Sequence, residues 1–276
     1  MDKTNFGSDK DREELHSFFT KQISLLESLY KYQFNKLTHL DNTRLDSLYL
    51  LLFSMTYTGA AISILAERMQ REECLINECY MLARSLLERI ITYIYVLYCD
   101  EKEYKRFLQY TKQKGVRVLN RSFTVGEMKV AIGLTQSVKI ESDSETAEAI
   151  KLFTSKKGRP ITRWTKCSIS EMLEVIKDKG EIDIQYLMLA TLGIYDDASE
   201  ALHGTIYGTT FHMGHYFNEV PTSINKLKEN INGQFSTLFL MLGTSIHTLI
   251  LGFDKNSDIE EILQKSKENL AAMLEN

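Results

Sequence analysis

Proline is almost absent: only Pro160 and Pro221 interrupt 276 residues. A chain with so few breakers is free to run in long helices, which argues against an all-β fold dense in turns. Cysteine is scarce too. Cys74, Cys79, Cys99 and Cys167 form no C-x-x-C pair, which excludes a zinc ribbon or a disulfide-stapled scaffold and predicts four reduced thiols in a cytoplasmic protein. The opening MDKTNFGSDKDREE lacks a signal-peptide pattern. No internal repeat or low-complexity tract appears. Two stretches lack charge, Ser47 to Ala66 and Ile231 to Phe253. Each is long enough to span a bilayer. Both carry scattered Ser, Thr, Tyr or His and lie in an otherwise amphipathic chain, so the expectation is buried core helix and no membrane.

What is present is apolar material at helical spacing. Hydrophobic residues make up 43% of the chain. The organising stretch is 72–99, EECLINECYMLARSLLERIITYIYVLYC. At about 100° per residue, Cys79, Leu82, Leu86, Ile90, Ile94 and Leu97 share one broad apolar arc. The polar arc holds Asn77, Glu78, Arg84, Ser85, Glu88, Arg89 and Thr92. Further helices are expected at about 9–37, 43–69, from Glu101 to a break at or before Gly115, from Ser168 to about Lys179, 183–208, 222–252 and 258–275. Ser8, Asp9 and Asp11 suit the first helix start, and Gly59 would allow close helix approach in the second. Short amphipathic pieces are expected at 124–135 and 144–155. The fold class is therefore all-α: a mostly antiparallel multi-helix bundle with a basic, partly irregular insert. It is read as a single helical domain over 1–276, with N-terminal helices at 1–100, the insert at 101–170 and C-terminal helices at 171–276.

Charge is unevenly spread. Residues 104–126 carry Lys105, Arg106, Lys112, Lys114, Arg117 and Arg121 without an acid, and residues 149–170 carry Lys151, Lys156, Lys157, Arg159, Arg163 and Lys166, also without one. Under a net charge of −4, those twelve cations leave the rest of the chain at −16. Such stretches either track a phosphate backbone or form an ordinary solvated face. Lys156, Lys157, Arg159, Arg163 and Trp164 are the candidate nucleic-acid contacts. Trp164 reads either as a base-stacking aromatic or as a loop anchor.

Chemistry is most concentrated in IYDDASEALHGTIYG. Asp196, Ser199, Glu200, His203 and Tyr207 fall at i, i+3, i+4, i+7 and i+11, on one helical face. A histidine with an oxygen partner one turn back is a candidate general acid or base; a hydrogen-bond ladder between helices is the competing reading. His203, His212 and His215 fit no zinc spacing. Glu200-x-x-His203 and Glu13-x-x-His16 match the E-x-x-H element of carboxylate di-metal bundles, a minor alternative. In the central helix, Arg84 and Glu88 form an i, i+4 pair, either a packing tie or an anion site.

The run LARSLLERIITYIYVL and the later SEALHG resemble a family of uncharacterised, all-helical bacterial proteins. That family has R-S-L-x-E in a central helix and S-x-x-x-H downstream, here Arg84, Ser85, Leu86, Glu88, Ser199 and His203. A more distant likeness is to the HEPN group of helical, metal-independent ribonucleases of bacterial toxin and antiphage systems, which are usually dimeric. They set an arginine four to six residues before the histidine; Ser199, Ala198 and Asp197 stand there in this chain, so the arginine would be Arg84. This likeness implies an RNA-directed nuclease or toxin-like effector, working as a homodimer without a cofactor. The catalytic group would be Arg84, Glu88, Ser199 and His203. The competing expectation is a non-catalytic helical interaction protein.

Overall fold

The computed structural model describes residues 7–36, 44–68, 75–118, 120–133, 144–205, 207–208, 224–254 and 259–275. Among these residues it is an all-α bundle, as the spacing of apolar residues requires, with a small hairpin. The chain divides into two compact units, residues 1–98 with 169–276, and residues 99–168.

The larger unit contains α1 (Asp9–Lys36), α2 (Arg44–Arg68), α3 (Ile76–Tyr98), α6 (Ile169–Gly180), α7 (Gln185–His203), α8 (Ile224–Asp254) and α9 (Glu260–Glu275). α1 starts where the sequence predicts. The Asp11 amide donates to Ser8 Oγ at 3.1 Å while the Ser8 amide donates to the Asp11 carboxylate at 3.2 Å, a reciprocal cap. α3 packs against α2, α6, α7 and α8, and α8 also packs against α1, α7 and α9. With neighbours on several sides, α3 buries Leu86, Leu87, Ile90, Ile91 and every residue from Tyr93 to Leu97. Phe19, Phe235, Phe239 and Phe253 complete this core. Each fully buried side chain of this size contributes roughly 1.5–3 kcal/mol.

α2 and α8 are both long and apolar enough to cross a membrane by length and composition. α8 is 83% buried over its apolar window and is the core helix expected. α2 is only 28% buried over its own, so one of its faces is left uncovered.

The smaller unit contains α4 (Glu101–Val118), β1 (Asn120–Val125), β2 (Met128–Gly133) and α5 (Glu145–Leu152). α4 does not break at Gly115. A glycine inside a helix costs only about 1 kcal/mol, and α4 is held against α5 by its side chains. Arg117 donates to Thr154 Oγ1 at 2.8 Å, and Lys112 pairs with Glu145. The segment expected as an amphipathic helical piece, 124–135, is a hairpin instead. Val125 pairs Met128 across Gly126-Glu127, and Phe123 pairs Val130. Phe123, Val125, Met128, Val130 and Ile132 form one exposed apolar face. The 144–155 piece is α5, capped by Ser144 Oγ accepting from the Ala147 amide.

Cys79, Cys99 and Cys167 are free thiols; Cys74 lies outside the described residues.

Candidate functional site

Arg84 lies on the polar arc of α3 and faces α7. Its Nε donates to Glu88 Oε1 at 3.0 Å, and its guanidinium carbon sits 4.1 Å from the centre of the Tyr195 ring. About one-fifth of the Arg84 side chain is exposed. Burial works against its charge, but Glu88 and Tyr195 outweigh that and raise its pKa. Its Nη1 is buried with no protein partner among the described residues. The Glu88 pair is worth at most about 1 kcal/mol, and the stacking on Tyr195 roughly 0.5–2 kcal/mol.

Chain direction fixes where the other residues fall. Gly180, at the end of α6, lies against the Tyr98 ring, and Gly252 touches both Ile182 and Ile94. So α7 starts beside the C-terminal end of α3. Because Tyr195 meets Arg84 further back along α3, the two helices are antiparallel. Ser199 stands one turn beyond Tyr195 and His203 two turns beyond, roughly 6 and 12 Å along the axis. A helical arginine side chain leans toward the N-terminus of its own helix, which here is toward Ser199 and His203. Ser199 is half-buried and His203 exposed. No hydrogen bond joins either to Arg84, Glu88 or each other.

α7 ends earlier than the expected 208. Gly204 takes φ 63°, ψ 32°, and its amide returns to Ala201 and Glu200 carbonyls. A residue with a Cβ pays steric strain in that left-handed conformation, which is why the helix stops at a glycine. This stop moves Tyr207 off the face assigned from spacing. Tyr207 Oη folds back to donate to Asp197 Oδ1 at 3.0 Å. Burial raises the Asp197 pKa, the Asp196 charge adds to the rise, and the Tyr207 hydrogen bond opposes it. Glu200 Oε2 accepts from Thr205 Oγ1 at 2.7 Å, while Asp196 is exposed. His212 and His215 lie outside the described residues. Tyr195 and Asp197 were not singled out from sequence. Their adjacency to the chosen polar face was the available signal, but only the packing of α3 reveals that Tyr195 carries the arginine.

The chain between α5 and α6 presents the candidate nucleic-acid residues on a tight loop. Thr154 bridges Pro160, the Ser155 amide donates to the Arg159 carbonyl at 2.8 Å, and the Arg159 amide donates to Ser155 Oγ at 3.0 Å. Lys156, Lys157, Arg159 and Arg163 are all exposed, and none has an ion pair among the described residues. Trp164 is half-buried, edge-on to Phe107 at 5.1 Å, and its carbonyl accepts from Arg106 Nε at 2.6 Å. It anchors the loop.

Residues 47–221 match a family described only as a family of unknown function, DUF5677. The chain belongs to that family. The matched span takes in both the Arg84–Glu88 pair and the Ser199–His203 pair, so the DUF5677 region contains the whole α3–α7 contact. No curated protein and no solved structure matches this DUF5677 chain.

Two histidines outside this site are bound into the packing. His16 Nε2 shares a 2.6 Å hydrogen bond with Ser63 Oγ and packs on Phe239, with ring centres 4.9 Å apart. His247 Nδ1 lies 2.8 Å from Ser266 Oγ. Among the described residues no three His, Cys, Asp or Glu side chains gather as a metal site.

Proposed function

We propose that this protein acts on RNA as a helical effector nuclease, with His203 as general acid–base. The observation that carries the reading is the loop at 155–163: four exposed cations, without an ion pair among the described residues, on a hydrogen-bonded turn suited to gripping a phosphate backbone. In the larger unit, His203 is an exposed imidazole with no hydrogen bond among the described residues, at the end of the helix that Arg84 packs on. It would take the proton of a ribose 2′-hydroxyl as that oxygen attacks phosphorus, or return one to the departing 5′-oxygen. Arg84, about two turns away along α7, would stabilise an adjacent phosphate through its maintained positive charge.

A second reading is favoured by Arg84 itself. Its ties to Glu88 and Tyr195 are internal, as expected of a packing arginine in a non-catalytic interaction protein. Paired measurements on Arg84→Ala and His203→Ala separate the two. The nuclease reading expects His203→Ala to abolish RNA cleavage with an unchanged melting temperature. The interaction reading expects no cleavage by any form, and a clear loss of stability in Arg84→Ala alone, on the order of 1–3 kcal/mol. RNA cleavage that persists in His203→Ala refutes the role given to the histidine.

A further inference from the structure

The uncovered face of α2 has an order that mere lack of burial does not require. Asp46, Leu50, Phe53, Tyr57, Ala60, Ile64 and Arg68 recur at intervals of three and four. On a wheel at 100° per residue they lie within about 60° of Tyr57. Leu50, Phe53, Tyr57 and Ile64 are exposed. The opposite side, Leu48, Leu52, Met55, Gly59, Ile62 and Ala66, is buried. Gly59 there lets Ile23 of α1 approach so closely that a Cβ would meet its Cδ1 at 2.0 Å. So the inner face is used, and the outer seam has the alternating three-four spacing of a helix that packs on another helix. Residues 47–66 carry no charge. The seam itself begins with an acid and ends with a base.

We propose that α2 is the dimer helix, pairing antiparallel with α2 of a second copy about a twofold axis through Tyr57. In that register Asp46 of each copy meets Arg68 of the other, Leu50 meets Ile64, and the bulky Phe53 meets the small Ala60-Ala61. Each contact is made twice, as a twofold interface demands. A groove of about 410 Å³ beside the seam, lined by Phe53, Ser54, Tyr57, Thr58, Ala61 and Leu82, receives the partner's central side chains. Exposed Phe34 extends the apolar surface on the α1 side. A lipid surface would need the apolar face but no acid and base placed to meet each other. That charge order favours a second copy. The proposal is independent of the RNA-directed reading, because neither His203 nor the loop at 155–163 enters it.

Sedimentation velocity of the full chain over a concentration series tests it. The native protein should dimerise reversibly. Asp46→Arg and Arg68→Asp should each weaken dimerisation at least about tenfold, since each sets two like charges together in both symmetric contacts. The combined swap should restore it. Within one copy the two positions are about 33 Å apart along the helix, beyond the roughly 8–10 Å screening length, so rescue requires two copies. Tyr57→Cys should crosslink to itself under mild oxidation, whereas Met188→Cys on α7 should not. A protein monomeric throughout overturns the proposal, as does a dimer indifferent to the charge swaps. Monomeric binding to phosphatidylcholine vesicles would instead assign α2 to a lipid surface and overturn it equally.

Discussion

Lowering the pH from neutral should destabilise this protein in a window set chiefly by one buried histidine. His247 sits on α8, 6% exposed, against α9. Ser266 Oγ spends its proton on Gln22 Oε1 at 2.9 Å, and Gln22 Nε2 donates back to the Ser266 carbonyl at 3.3 Å. The hydroxyl can therefore only accept from the histidine, so the neutral ring carries its proton on Nδ1. Burial first, and then the Lys267 charge, pull the His247 pKa from 6.5 down to about 4. The unfolded chain binds a proton at this ring below about pH 6.5, and the folded chain only near 4. Between those values unfolding takes up a proton, so stability is full above the window and falls as pH drops through it. At 1.36 kcal/mol per unit the loss reaches roughly 3 kcal/mol by pH 4 and then levels off. His16, whose pKa is lowered by burial and by Arg12 against an opposing Glu67, adds loss of the same sign. Urea unfolding of native protein and His247→Gln at pH 7, 5.5 and 4 measures this, together with histidine NMR titration of the folded protein. The glutamine variant keeps a polar group near Ser266 and removes the titration, so its curve should be flatter by about 3 kcal/mol. Parallel curves for the two proteins, or a His247 ring that titrates near 6.5 in the folded state, would refute the reasoning.

Four further outcomes are expected. RNA affinity should fall steeply with salt, and reversing Lys156, Lys157, Arg159 and Arg163 together should lower both affinity and salt slope, read by filter binding across a salt series. Gly204→Val should destabilise the protein by about 1–3 kcal/mol in thermal melts, because a β-branched residue must adopt φ 63°. Leu86→Ala should cost roughly 2–5 kcal/mol, since Leu86 is fully buried on the central helix; denaturant midpoints at constant slope would show it. Thiol titration should find four free thiols after denaturation but a silent Cys79 in the native state, since burial and Glu78 push its pKa up to about 12.

The helices were legible because each repeats its apolar residues over many turns; α3 is the clearest case, polar only along the arc of Arg84 and Glu88. Short elements escaped for the opposite reason. The β1–β2 hairpin has six residues a side, and its alternation (Phe123, Val125, then Met128, Val130, Ile132) was visible only once Gly126-Glu127 was taken as the turn. Gly115 and Gly204 are the same residue type in helical surroundings, yet α4 passes through one and α7 stops at the other. Side chains of α4 bound to α5 carry it past Gly115, which is tertiary information absent from any local window. The candidate site was half legible. One-turn spacing paired Arg84 with Glu88 correctly, but nothing local marks Tyr195 as the surface on which that arginine rests.

The larger unit is discontinuous in the chain, and this bears on how it is made. Its first part ends at Tyr98 and its second begins at Ile169. Arg12 on α1 bonds Asn232 on α8 across 220 residues, and Gln22 reaches Ser266 across 244. During synthesis α1, α2 and α3 therefore emerge long before the α8 that covers α1 and α3. The end of α8 at Asp254 lies 156 residues beyond Tyr98, so elongation leaves that apolar surface open for roughly 8–30 s. Contacts of such long range also slow folding from the denatured state. The nascent N-terminal half is thus the stage at which this chain leaves most apolar surface open to aggregation.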